Sequence, residues 1–187
     1  MKLKTTILLL ALGTAATAAD YKVDIAGMHA AVQFKISHLG TSWLMGRFDK
    51  FDGGFSYDAE HPNASKINLT VDTTSVNTNH AERDSHIRAD GLLNTDKYPQ
   101  ATFVSQSFNL DADNNGSVTG KFKLHGIEKT VTMAIKKVGE GKDPWGGYRV
   151  GFEGTMRIKL ADYDITKNLG KASETLELNI AIEGIRQ

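Results

Sequence analysis

The sequence predicts an all-β protein, an antiparallel sandwich or up-and-down barrel of about eight or nine strands with one short helix. Three observations predict it. Apolar and polar residues alternate with a period of two along most of the chain. Clusters of Gly, Asn, Asp and Pro separate the alternating runs. One stretch, at about 80–89, lacks the alternation and carries a helix-start pattern.

The chain of 187 residues opens on Met1-Lys2-Leu3-Lys4, the apolar run Ile7-Leu8-Leu9-Leu10-Ala11-Leu12, and Ala16-Thr17-Ala18. A basic start, a short apolar run and small residues at the cut predict a secretory leader over 1–18, cleaved after Ala18. The apolar run is about half of the roughly 20 residues that a membrane-spanning helix needs, so a membrane anchor is not expected. No cysteine is present to accept a lipid at the cut, to form a disulfide or to bind metal as thiolate. Residues 19–187 are then expected to form a single domain. The full chain carries 22 basic and 22 acidic residues; removing Lys2 and Lys4 leaves 20 against 22, a net charge of −2. That balance gives no footprint for nucleic acid, and there is no basic tail for an anionic membrane surface.

The strands follow in order. Val32, Phe34 and Ile36 share one face, and a non-strand turn or short helix carrying Leu39, Trp43 and Leu44 is expected between Ser37 and Arg47. Phe51, Phe55 and Tyr57 alternate with polar residues, as do Ile67, Leu69 and Val71. Asn79, followed three positions later by Glu82, reads as a helix cap, giving a helix at about 80–89 that ends near Gly91. The series continues with Phe103 in 101–107, Val118 to Leu124, Val131 to Ile135, and Tyr148 to Phe152. Met156 to Leu160 and Leu176 to Ile182 complete it.

Candidate chemistry is sparse. The six histidines lack metal-ligand spacing: His80 and His86, six apart, fall on different sides of a helix. Asp111-Ala112-Asp113-Asn114-Asn115-Gly116 begins like a calcium loop, but its twelfth position is Phe122 where a glutamate is needed, so a hairpin turn is expected. Ser85 lacks the flanking glycines of a nucleophile elbow. Arg83 and His86, three apart on the helix, could instead hold a polar or anionic head group, or serve as solvated charge around the helix cap.

Several segments together resemble the YceI-like family of bacterial exported proteins, over essentially the whole chain after the leader. They are 29–40 (HAAVQFKISHLG), Gly46-Arg47-Phe48, Phe51-Asp52-Gly53, 74–88 (TSVNTNHAERDSHIR), 98–103 (YPQATF), 120–126 (GKFKLHG) and 143–147 (DPWGG). Gly91 and Asn94 depart from the pattern, where a bulky residue and an aspartate are usual. The resemblance implies a lipocalin-like antiparallel β-barrel, closed at one end, with an apolar lining. It also implies a periplasmic protein that sequesters or carries a long-chain isoprenoid or acyl lipid, polyisoprenoid or quinone-like, with no other cofactor and no catalysis.

On that reading Phe34, Ile36, Phe103, Phe122 and Leu124 either pack the core or line a tunnel, and the strand pattern leaves both open. Leu39, Trp43, Phe48, Ile87, Leu92 and Leu93, in the irregular segments, are expected ligand contacts at the mouth. His38, Arg83 and His86 are head-group candidates. The alternative is a lipid-modifying enzyme that uses one of those three as acid–base or clamp. A homodimer, through a sheet edge or the barrel mouth, is left open.

Overall fold

The computed structural model describes residues 18–187. The expected leader therefore lies outside the described residues, apart from Ala18. Eleven strands form one continuous antiparallel sheet: β1 Ala19–Val23, β2 Ala31–His38, β3 Ser42–Phe48, β4 Phe51–Tyr57, β5 Lys66–Asp72 and β6 Val76–Asn77. After α1, Ala81–Arg88, the one α-helix among the described residues, come β7 Gln100–Leu110, β8 Asn115–Leu124, β9 Ile127–Lys142, β10 Tyr148–Lys159 and β11 Thr175–Arg186.

The sheet closes on itself. Its order is β1-β4-β5-β7-β8-β9-β10-β11, and β11 returns to β1 through Tyr21↔Arg186 and Val23↔Gly184. The result is a closed eight-strand barrel, and closure removes the exposed edges of an open sheet. The other strands extend this ring. β11 pairs β1 at its C-terminal end and β2 at its N-terminal end, with Leu176↔Ile36 and Ala181↔Ala31. β1 and β2 thus act as two halves of one strand, interrupted at 24–30. Similarly, β3 pairs β2 while β4 pairs β1, separated only by Asp49 and Lys50.

The inward faces follow the sequence alternation, with two shifts. On β7, Ala101 and Phe103 are buried, but so are Phe108 and Leu110, of the opposite parity. A bulge between Ser105 and Ser107 inserts one residue and turns both pairs inward. On β9, Met133 and Ile135 are buried, and the register then slips opposite Gly151/Phe152, leaving Val138 exposed between Lys137 and Gly139.

Two local expectations are corrected. Residues 37–47 form no helix: β2 and β3 make a tight hairpin with Ser37 opposite Trp43. Leu39 and Gly40 both have positive φ, 55° and 75°, the pairing that matches the twist of a two-stranded hairpin. The helix cap is His80 rather than Asn79. His80 Nδ1 accepts from the Arg83 amide at 3.2 Å, while Asn79 sits one residue earlier at φ 62°. Asp111–Gly116 is the expected β7–β8 turn, where the Asp111 carboxylate accepts the amides of Asp113 and Asn115, both at 2.9 Å.

One end of the barrel is filled. Phe152 meets Phe55, Tyr57 and Phe108 edge-on at 5.6, 5.6 and 5.8 Å between ring centroids, and Tyr21 stacks on Phe55 at 5.0 Å. Such pairs add about 0.5–1.5 kcal/mol each beyond the burial of their area. Outside this plug, Arg149 clamps the same end. Its guanidinium donates to Asp24 Oδ2 at 2.6 Å, to Asp143 Oδ2 at 2.8 Å and to Glu183, joining β10, β11, the end of β1 and the 143–147 loop. Trp145 covers the guanidinium at 5.7 Å. Arg149, His29 and the Gly27 amide together hold the Asp24 carboxyl down to about 2, from an ordinary 3.8.

That clamp gives the barrel an acid limb. Between about pH 4 and 2 the folded state binds fewer protons at Asp24 than the unfolded chain does, so its contribution is complete above that window and lost through it. Asp24→Asn is expected to flatten the fall in stability between pH 4 and 2 and to cost about 2 kcal/mol at pH 7, roughly 4–8 °C in Tm. Thermal unfolding followed by circular dichroism across pH 2–7 checks both. Gly46, on β3, lies against the Phe34 ring: a Cβ there would stand 2.3 Å from Phe34 Cζ and 2.8 Å from Thr78 Cγ2. Gly46→Ala is therefore expected to destabilise by about 1–3 kcal/mol in urea titration, by forcing Phe34 from its position.

Candidate functional site: an apolar barrel cavity

Above the aromatic plug the barrel is hollow. The cavity has a volume of about 400 Å³ and takes its wall from β2, β3 and β5 to β11, with α1 and the loops beside it. Small-molecule sites commonly span about 300–1,000 Å³, so the space is of binding-site size rather than a packing defect. Phe108 and Phe152 reach it from the plug, while Tyr21, Phe55 and Tyr57 are buried beneath it and contribute no wall. Inward residues of β8 to β11, including Val118, Met133, Met156, Ile158 and Leu178, form its sides.

The wall resolves what alternation left open. Phe34 and Ile36 on β2, Phe103 on β7, and Phe122 and Leu124 on β8 all face the cavity. Phe48 joins them and leans on Phe34, with ring centroids 5.7 Å apart. Ile87 from α1, with Leu92 and Leu93 just after it, borders the cavity opposite the plug. This helix-side end is the mouth.

Leu39, Trp43 and His38 do not reach the cavity wall, a correction to the expectation that they build the mouth. The hairpin geometry explains it. Leu44 and Gly46 point inward on β3, so Trp43 and Met45 must point outward, and Leu39 and His38 sit at the exposed tip. The sequence reading also passed over a wall segment. Ile165, Lys167 and Leu169, after the 3₁₀ turn Leu160–Tyr163, line the mouth from the side of β10 and β11. Their alternation is visible in the sequence, but it is only three residues long and interrupted by no turn glycine before Gly170.

Three basic side chains stand at this mouth: Arg83, His86 and Lys167. Arg83 is fixed by its own neighbours. Its Nε donates to Thr78 Oγ1 and its Nη2 to the Thr78 carbonyl, both at 2.7 Å. Thr78 is held in turn by the buried Asp84, which accepts its amide at 2.8 Å and its hydroxyl. The helix start, the cap and the cation are therefore one connected network. Lys167 passes close to Gly91: a Cβ on Gly91 would sit 3.4 Å from Lys167 Cδ. Asn94, the other departure noted above, has φ 46°, a conformation asparagine accepts readily, and its carbonyl receives the amides of Lys97 and Tyr98. The remaining charged residue along the wall, Glu153, lies between the inward Phe152 and Gly154 and is exposed on the outer face.

Chemically, such a site can hold an elongated apolar molecule with its polar end near the cations. The wall is almost wholly hydrocarbon, and each CH₂ leaving water for it contributes about 0.8 kcal/mol. Elsewhere, Asp24, His29 and Glu183 approach one another closely enough to suggest a metal site, but the Arg149 guanidinium already bonds both carboxylates there.

Comparison with known proteins agrees with this geometry. The YceI-like domain model matches residues 21–184. A UPF0312 protein of Ectopseudomonas mendocina is 56% identical over 99% of this chain and 100% of its own length. Protein YceI of Escherichia coli is 53% identical over 92% of this chain and 90% of its own. Among solved structures, Burkholderia cenocepacia BcnA superposes with a TM-score of 0.75 at 21% identity, covering 86% of this chain and 98% of BcnA. A Campylobacter jejuni YceI protein gives 0.73 at 27%, covering 82% and 91%. A polyisoprenoid-binding domain from Saccharophagus degradans gives 0.66 at 20%, covering 91% and 100%. At 20 or 21% identity the likeness speaks for the fold alone. The family match and the close relatives, spanning nearly the whole barrel, establish that the chain belongs to the YceI-like family.

Proposed function

We propose that this protein is a periplasmic carrier or store that holds an isoprenoid or similarly long-chain lipid in its barrel and performs no chemistry on it. The observation that carries this reading is the blind, hydrocarbon-walled cavity above the aromatic plug, open beside α1. Its shape suits a molecule inserted tail first, and the cations at the mouth suit a phosphate or other anionic or polar head. The polyisoprenoid-binding domain of Saccharophagus degradans shares the architecture, which supports the same ligand class here. The leader-like residues 1–18 support an exported, aqueous destination between two membranes. An enzyme reading gains nothing from the placement of its three candidates: His38 is on the exposed hairpin, Arg83 is tied to Thr78, and His86 stands apart from both carboxylate and serine partners within bonding distance among the described residues.

Organic extraction of protein purified from periplasm, followed by mass spectrometry, is expected to yield a long-chain lipid. Empty extracts, with no uptake of polyprenyl or quinone probes, would overturn the proposal. Ala101 is buried and faces the cavity, so Ala101→Phe is expected to fill part of it and weaken probe uptake by about tenfold or more with the fold retained. Ile158→Phe provides a second filled cavity at another depth.

Head-group recognition is tested separately. Lys167→Gln is expected to weaken binding of a polyprenyl phosphate about tenfold relative to the uncharged alcohol of equal chain length, measured by competition with one fluorescent probe. Equal losses for both ligands would mean that Lys167 only packs the mouth.

A further inference from the structure

Among the described residues, large apolar side chains are exposed at several places on the barrel, and one group of them is contiguous. Met28 and Trp145 lie toward the plugged end, and Val104 and Val138 are single residues on the walls. Leu39, Trp43 and Met45 belong to one hairpin and are 71%, 60% and 64% exposed. Trp43 and Met45 share the outer face of β3, and Leu39 forms the tip beside them.

This hairpin stands at the open end of the barrel. Leu44, between Trp43 and Met45, lines the cavity, and Ile36 opposite it does the same. The tip abuts the 3₁₀ turn Lys171–Ser173: a Cβ on Gly40 would touch Ala172 at 3.6 Å, and Ser173 Oγ donates to the Ser37 carbonyl at 2.6 Å. The apolar patch and the cavity mouth are thus neighbouring surfaces of one rigid unit.

Two of the cations around the patch are paired, Lys35 with Glu177 and Arg47 with Asp49, while Lys167 and Lys171 make no salt bridge among the described residues. From Ala31 to Phe48 the hairpin contains Lys35 and Arg47 and no acidic residue. From Ile165 to Ser173 the adjoining segment contains Lys167 and Lys171 and no acidic residue. Lys35 Nζ lies 5.2 Å from the Trp43 ring centroid while also pairing with Glu177, whose other partner is Arg157. Glu174 is the first acid after the lysine segment. Lys35 and Arg47 share the hairpin, and the lysine segment meets it through the Gly40–Ala172 and Ser37–Ser173 contacts.

An indole and aliphatic side chains at an exposed tip, flanked by lysines, have the chemistry of an interfacial membrane anchor. The apolar groups enter the acyl boundary, tryptophan favours the head-group level, and lysines meet anionic phosphates while their stems stay apolar. We infer that the Leu39–Trp43–Met45 hairpin docks the open end of the barrel on the surface of an anionic phospholipid bilayer, where a lipid can pass between membrane and cavity. This inference rests on the carrier reading, but its test is separate from that one.

The sequence holds two tryptophans, so Trp145→Phe leaves Trp43 as sole reporter. With vesicles of phosphatidylcholine and phosphatidylglycerol, Trp43 emission is expected to shift to the blue and the protein to sediment with the vesicles. Both effects should weaken with salt and be much smaller with phosphatidylcholine alone. Leu39→Ser/Met45→Ser is expected to reduce vesicle binding about tenfold while leaving Tm and probe uptake from solution unchanged. Absence of vesicle binding, or equal binding by the double variant, would overturn the inference. So would a concentration-dependent dimer that buries Trp43 without vesicles, since the patch would then face a second copy. Docking without any uptake of lipid probes would uphold the membrane surface and sink the carrier reading instead.

Discussion

Everything in this structure depends on β11 having three partners. β10 runs along one side of it for its whole length, while β1 and β2 divide the other side between them. Those backbone hydrogen bonds turn an open sheet into a ring. Once the ring is closed, inward residues have no solvent-facing alternative, and the interior becomes a chamber whose occupancy is decided by side-chain size alone. The interruption at 24–30 lets the two halves of that side tilt separately, and the Arg149 cluster is built at the interruption. Asp24 is the first residue of the gap, so the clamp secures the place where the ladder is broken.

The two ends of the chamber differ because their side chains differ. Aromatic rings from β4, β7 and β10 meet at the plugged end and exclude space. Toward the other end the walls carry aliphatic groups and single rings, which line the barrel without spanning it. Protein interiors ordinarily close such gaps, since unfilled volume forfeits contacts. A void of about 400 Å³ inside the barrel therefore forgoes contacts that a filled interior would make.

Most of this architecture is legible in the sequence, for a definite reason. A barrel strand has one wet and one dry face, so Phe34/Ile36, Phe122/Leu124 and Leu176/Leu178 announce their orientation by simple alternation. Legibility fails where the period is broken. The bulge at Ser105–Ser107 swaps the parity of β7, and nothing in Val104-Ser105-Gln106-Ser107 marks the slip. The 37–47 segment misled because Leu39, Trp43 and Leu44 are spaced as on a helix face. The Leu39-Gly40 turn assigns them instead to a tip, an outer face and an inner face. The cap moved from Asn79 to His80 because a ring nitrogen can accept a first-turn amide, here that of Arg83, as an asparagine oxygen can. Hollow and filled barrels share one alternation pattern, so the cavity itself had to be seen rather than read. Lys167 illustrates the same limit: its place at the mouth is set by the path of a loop, not by any period.

The aromatic plug has a further consequence for any chain molecule that occupies the barrel. A tube open at both ends would tolerate a tail of any length, which could emerge on the far side. A blind tube is a ruler. Its wall fixes how many carbons can be sheltered, and a longer tail must leave its surplus in water beside the head. Arrival and departure use the same opening in reverse order, so the last segment to enter is the first to leave. Residence time then grows with the inserted length up to the depth set by Phe152 and no further.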